Sequence, residues 1–297
     1  MRVFGLDFTS APTSNRSQAV RRKRLTLVSA QLDSQVLTVE NLQDLNGPTV
    51  GDYSNFERWL QTSGPWIAGI DFPFAQPAAL IAALGWPTTS WSSYVAHVRR
   101  LGKAAFEAQI IGYRGSKPPG RKHLRRPVDV WARSISPMML HGVPVGKMFF
   151  QGAPRLLDSP ASIPGLRPVK GETRTIVEAY PGLVARRWLG ASSYKNDDLK
   201  RDDPAKRSAR QDLIRAIAGD PTVPGPSIAS VYGFTVTMTE VSAASCIQDP
   251  TGDRLDSILC AIQAAWAFTQ KAENHGMPAE ADPLEGWIAD PGPSMVV

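Results

Sequence analysis

Five acidic residues stand where carboxylates can act together. Asp7 follows the β-prone run Arg2 to Leu6, Asp71 follows Trp66 to Ile70, and Glu178 follows Thr173 to Val177. In a mostly parallel sheet, strand ends converge at the edge where ligands bind. Asp253 and Asp256 open the apolar run from Gly252 to Lys271. Residues three apart are neighbours on a helix, so a helix packed on the sheet can bring both to the same edge. Clustered carboxylates either take up protons or bind cations, and an all-oxygen donor set suits Mg²⁺ or Mn²⁺. Two such ions about 3.5 to 4 Å apart activate a water and stabilise the leaving oxygen of a phosphodiester. Taken singly, Asp7 and Asp71 also fit as turn formers and Asp253 as a helix-start acid. The combination is what points to chemistry.

The elements that must position these acids follow from pattern. Lys23 to Leu32 and Gln35 to Leu42 read as a hairpin turning at Asp33-Ser34, and Tyr53 to Gln61 as a short helix. From Trp86 to Lys170 the pattern loosens into a helical stretch (Ser92 to Ile111), a basic loop (Tyr113 to Pro127), a second helix (Val128 to Met139) and a Pro-rich run to Pro168. Pro181 to Leu189 and the charge-alternating Asp203 to Ala218 read as helices, Val231 to Val241 as β-prone or irregular, and Glu285 to Ile288 as a short strand. The run from Gly252 is the clearest helix, with Leu255, Ile258, Leu259, Ile262 and Trp266 forming its stripe. With that stripe inward, Asp256 lies nearer the sheet than Asp253.

The segments Phe4-Gly-Leu-Asp7, Gly69-Ile-Asp71-Phe-Pro73, Val177-Glu178-Ala-Tyr-Pro181, Asp253-Arg-Leu-Asp256-Ser-Ile-Leu-Cys-Ala261 and Glu285-Gly-Trp-Ile288 stand in this order along the chain. In them the sequence resembles the bacterial proteins grouped as domain of unknown function 429, predicted nucleases of the ribonuclease H-like superfamily. The first, second and fourth segments also resemble the active-site pattern of RuvC-type resolvases. There, acids on the first and fourth strands meet an Asp-x-x-Asp pair on the last core helix. The resemblance implies a ribonuclease H-like mixed sheet flanked by helices, in one domain with a core of about 1–84 and 171–297 and a loop-rich insertion of about 85–170. It implies metal ligands at Asp7, Asp71, Asp253 and Asp256 and a two-metal nuclease. Glu178 has no resolvase counterpart and joins the catalytic set through the less characterised family and the convergence argument. The alternatives are a non-catalytic nucleic-acid or protein binding module on the same fold, or an actin-like or sugar-kinase-like phosphotransferase. The last lacks a glycine-rich phosphate loop here, and Gly142 to Met148 departs from a P-loop in spacing and in its final residue.

The expected polyanionic partner, DNA or RNA, rests on charge distribution. Arg114, Lys117, Arg121, Lys122, Arg125 and Arg126 fall within 13 residues that carry no acid, a loop able to neutralise phosphates without reading sequence. Arg21-Arg22-Lys23-Arg24 is a second basic cluster. Trp86 and Trp91 allow base stacking, but buried packing is the commoner role. Over the 297 residues the formal charge is +6, too mild alone to establish such a partner. At 42% hydrophobic and 20% charged residues, the chain is excluded from the disordered class. Its best apolar stretch, Ile67 to Trp86, is broken by Asp71, Pro73 and Pro77, which argues against a membrane span. No leader pattern is evident, and Cys246 and Cys260 have no nearby His or Cys to form a zinc site, so a reduced cytoplasmic setting is expected.

Overall fold

The structure, a computed structural model, describes residues 1–14, 23–196 and 203–292. In chain order its elements are β1 (Arg2–Asp7), β2 (Thr26–Asp33), β3 (Val36–Asp44), α1 (Ser54–Leu60), β4 (Trp66–Asp71), α2 (Ala78–Ala83), α3 (Trp91–Gly115), α4 (Pro127–Trp131), α5 (Val145–Asp158), β5 (Arg174–Glu178), α6 (Pro181–Leu189), α7 (Pro204–Ile217), α8 (Ile228–Tyr232), β6 (Thr235–Thr237), α9 (Glu240–Gln248) and α10 (Asp253–Thr269). Among the described residues, six strands form one mixed sheet in the order β5-β4-β1-β2-β3-β6. The first three make an antiparallel meander. On its other side, β4 runs parallel to β1 and β5 parallel to β4, so β1, β4 and β5 end at the same edge.

Alternation along the strands sorts the core into two layers. Val3, Ile67 and Val177 face one side, where α10 covers β1, β4 and β2 and is backed by α6, α7 and α9. Phe4, Leu6, Ile70 and Ile176 face the other, where they meet α1, α3 and α5. α10 is buried on all sides from Leu255 to Ala267 rather than along one stripe, because α6 and α9 close over it.

Residues 85–170 are more helical than their composition suggests. α5 was not expected from the Pro-rich run. Pro154 sits inside it, while Phe149, Ala153 and Leu156 bury its inner face. The helix expected over Val128 to Met139 stops at Trp131, and the chain turns at Arg133 with a φ of 51°. α3 extends the expected stretch but is two helices joined at Gly102, where φ is 74°. Trp86 and Trp91 are both buried in this layer and cannot stack on bases. Glu285 to Ile288 is not a strand; Ile288 makes one bridge, to Glu178. Among the described residues no helix is long and apolar enough to cross a membrane.

Candidate metal centre and the cavity beside it

Two glycines set the site's geometry. Gly5 and Gly69 are cross-strand partners on β1 and β4, two residues before Asp7 and Asp71, which are partners in turn. A Cβ on Gly5 would lie 1.9 Å from the Ser257 carbonyl oxygen, and one on Gly69 would lie 2.3 Å from that of Cys260. The backbone of α10 therefore rests directly on the two strands. Two residues further on, on the same face, both aspartates meet the first turns of that helix. Carboxylate oxygens of Asp7, Asp71 and Asp256 all lie within 4.8 Å of one another.

Capping does not account for the acids on α10. Asp249 receives the hydroxyl of Thr251 at 2.7 Å and the amide of Arg254 at 3.2 Å, while the Thr251 hydroxyl accepts the Asp253 amide at 3.3 Å. Asp249 and Thr251 thus organise the helix start, which leaves the carboxylates of Asp253 and Asp256 to other roles. Asp256 is fully buried and accepts hydrogen bonds from the Tyr194 hydroxyl and the Lys195 ammonium. Asp253 is less buried and lies outside the triad, on the Asp7 side, where its charge is the strongest that Asp7 feels.

Among the described residues the cluster carries more negative charge than its surroundings neutralise. Burial, then repulsion from Asp253 and Asp256, pushes Asp7 well above the usual carboxylate range. Burial and the Asp256 charge push Asp71 up to about 7. Burial and Asp249 push Asp253 up to about 7, and burial also raises Asp256 against the pull of Lys195. Among the described residues Lys195 is the cation paired with the cluster, and its side chain is 44% exposed. Its own titration is lowered by burial but raised further by Asp256, Tyr194, Asp7 and Asp71, so it stays charged. Among the described residues, four acids against one lysine is the charge balance of a cation site. Oxygen donors at this spacing fit a divalent ion.

Glu178, expected at the same edge, does not join the cluster. Its register partner on β4 is Ile70 rather than Asp71, and a one-residue offset turns a side chain to the opposite face. There it meets Arg126. Of the expected phosphate-binding residues, Arg126 is the one the structure removes from that role, because it is 1% exposed and uses all five N–H donors internally. Its Nε and one terminal nitrogen reach Asp129 at 3.0 and 2.8 Å, the terminal nitrogens reach Glu178 at 2.5 and 2.8 Å, and the fifth bond goes to the Glu285 carbonyl at 3.0 Å. Glu178 also accepts the Phe74 amide at 2.9 Å, and the Ser134 hydroxyl donates to Asp129 at 2.9 Å. Arg121, Lys122 and Arg125 are exposed and Lys117 half-buried on the loop that follows α3, while Arg114 is half-buried in the last turn of α3. Arg21 and Arg22 lie outside the described residues. Arg24 of the same cluster lies 3.7 Å from Asp44 and 3.6 Å from Asp249, and so supports the α10 cap.

Tyr194 and Lys195 were not anticipated. They lie in the loop after α6, and no local pattern distinguishes them; the only available signal was that a buried acidic cluster needs a nearby cation. A cavity of about 290 Å³ opens beside the cluster, its lining running from Asp71, Asp256 and Lys195 across the sheet edge to Glu178 and Arg126. Comparisons with protein-family models, curated proteins and solved structures give no match to this chain.

Proposed function

We propose that the protein is a divalent-cation-dependent phosphodiesterase of the ribonuclease H-like class, acting on nucleic acid, with Asp7, Asp71 and Asp256 as direct metal ligands and Asp253 beside them. The observation that carries the reading is the approach of three carboxylates, two buried and that of Asp71 half-buried, to within 4.8 Å of one another with, among the described residues, one lysine to offset them. The topology supports it: an antiparallel meander with two parallel strands beyond β1 makes the first and fourth strands neighbours, as the resolvase-like pattern requires. Mg²⁺ or Mn²⁺ held there, as one ion or two, would supply an activated water and charge stabilisation at phosphorus.

The chain's own groups divide the remaining work. Asp7 and Asp71 are fixed by the strand register, so their separation does not depend on a flexible loop. Tyr194 and Lys195 hold Asp256 in one orientation. Lys195, half in solvent, can also meet a phosphate oxygen. Arg121, Lys122 and Arg125 form the exposed basic surface that would hold a polyanion. The test is incubation with labelled single-stranded and duplex DNA and RNA in Mn²⁺, in Mg²⁺ and in chelator. Cation-dependent cleavage that disappears in Asp7→Asn and Asp71→Asn is expected. Binding without cleavage in every condition would favour the non-catalytic module.

A further inference from the structure

We propose that the cavity beside the acidic cluster receives one unstacked nucleotide, with its phosphate toward Asp71, Asp256 and Lys195 and its base against the apolar part of the lining; this rests on the phosphodiester reading above. The cavity's lining combines the two triad carboxylates and the half-exposed ammonium with the apolar side chains of Ile135, Val143, Val145, Met148 and Ile288. Ile135 and Val143 remain 40% and 54% exposed, so the fold itself does not cover this apolar mouth. Isolated exposed apolar residues need no explanation, but two that line a cavity continuous with a charged cluster mark a ligand surface.

The polar floor decides which way round the ligand sits. Arg126 lines the cavity, yet all five of its donors are taken, and Asp129 and Glu178 beside it are acids. A phosphate would be repelled there and has only the metal end to occupy. At about 290 Å³ the space is near the lower end of the roughly 300 to 1,000 Å³ typical of small-molecule sites. It admits a single planar group and its sugar but excludes a paired duplex, which would have to give up pairing and stacking to enter. The Tyr180 ring, with Arg186 stacked 5.4 Å from its centroid, adds an aromatic surface at the same opening.

The source of the nucleotide is either a free mononucleotide ester or an unpaired strand, and binding is measured apart from turnover. Thymidine 5′-monophosphate and inorganic phosphate are titrated into the full chain in Mg²⁺, using wild type, Ile135→Trp and Val143→Trp. Both substitutions fall at partly exposed positions and fill the mouth. Wild type is expected to bind the nucleotide at least about tenfold more tightly than phosphate, the scale of one base contact. Each variant should reduce nucleotide affinity toward that of phosphate while leaving phosphate and Mg²⁺ binding unchanged. Equal affinities in wild type, or unaltered nucleotide binding in both variants, would overturn the assignment. Hydrolysis of thymidine 5′-p-nitrophenyl phosphate compared with a single-stranded oligonucleotide identifies the source. Duplex cleaved as fast as single strand would overturn the proposal. If no substrate is hydrolysed but the nucleotide binds as described, the phosphodiesterase reading fails and the cavity assignment stands.

Discussion

Two groups of buried acids flank the same cavity, and they are built on opposite plans. Around Arg126, two carboxylates share one guanidinium whose five donors are all used, and neighbouring amides and a hydroxyl satisfy further lone pairs. This network ties β5 to the segment after β4, to α4 and to Glu285. Among the described residues, four carboxylates around Asp7 share one half-exposed lysine, and the carboxylates of Asp7 and Asp71 have no hydrogen-bond or salt-bridge partner. Burial of acids is common to both. What separates scaffold from site is whether the charge is balanced when no ligand is present.

The two clusters should respond in opposite ways to single substitutions. Arg126→Met leaves Asp129 and Glu178 buried without their cation and should cost about 3 to 5 kcal/mol in denaturant unfolding. Asp71→Asn removes one charge from a repulsive cluster and should leave the metal-free protein as stable or more so, while reducing cation-dependent cleavage to background. If Asp71→Asn proved as destabilising as Arg126→Met, the two clusters would be alike, and both would be structural.

Acidity sharpens the contrast next. Asp71 and Asp253 titrate near 7 in the folded chain against roughly 4 when unfolded. Between those values the folded chain binds more protons than the unfolded one, so the metal-free fold loses stability as pH rises from about 4 to about 7. Thermal melting in chelator should therefore fall over that range. Mn²⁺ should restore it strongly at pH 8 and weakly at pH 5.5, where protons compete for the same oxygens. A melting temperature equally insensitive to Mn²⁺ at both pH values would remove the argument from charge imbalance.

Within the acidic cluster a smaller difference is expected. Asp256 belongs to the triad and is held by two side chains, whereas Asp253 stands outside it. Asp256→Asn should lower activity and Mn²⁺ affinity more than Asp253→Asn; the reverse order in both assays would make Asp253 the direct ligand. The smallest effect belongs to the surface. Neutralising Arg121, Lys122 and Arg125 together should weaken nucleic-acid binding and reduce the steepness of its salt dependence, by up to about three counterions' worth. An unchanged salt slope would make the loop ordinary solvated surface.

Much of this arrangement was legible in the residues, for identifiable reasons. Asp7 and Asp71 end short apolar runs, and the Gly-x-Asp spacing in both puts a close-approach residue and an acid on one strand face. Glu178 ends a similar run, but its face depends on which residue of β4 it pairs with, and register is a tertiary property that the strand does not encode alone. Arg126 appears within a uniformly basic stretch. Its burial follows from Asp129 three residues later and Glu178 fifty-two residues later, and the second contact has no local signature. α5 was obscured by Pro144, Pro154 and two glycines, whose helix-breaking tendency is outweighed by the aromatic and aliphatic surface it buries against α3.

The most direct test of the acidic cluster as a metal centre is calorimetric titration of Mn²⁺ at pH 8 into wild-type protein and Asp7→Asn. Saturable binding by the wild type is expected, weakened at least about 100-fold in the variant, since loss of a direct ligand should cost no less than loss of its supporting partners. Equal binding by both proteins, or none by the wild type, would contradict a metal centre there.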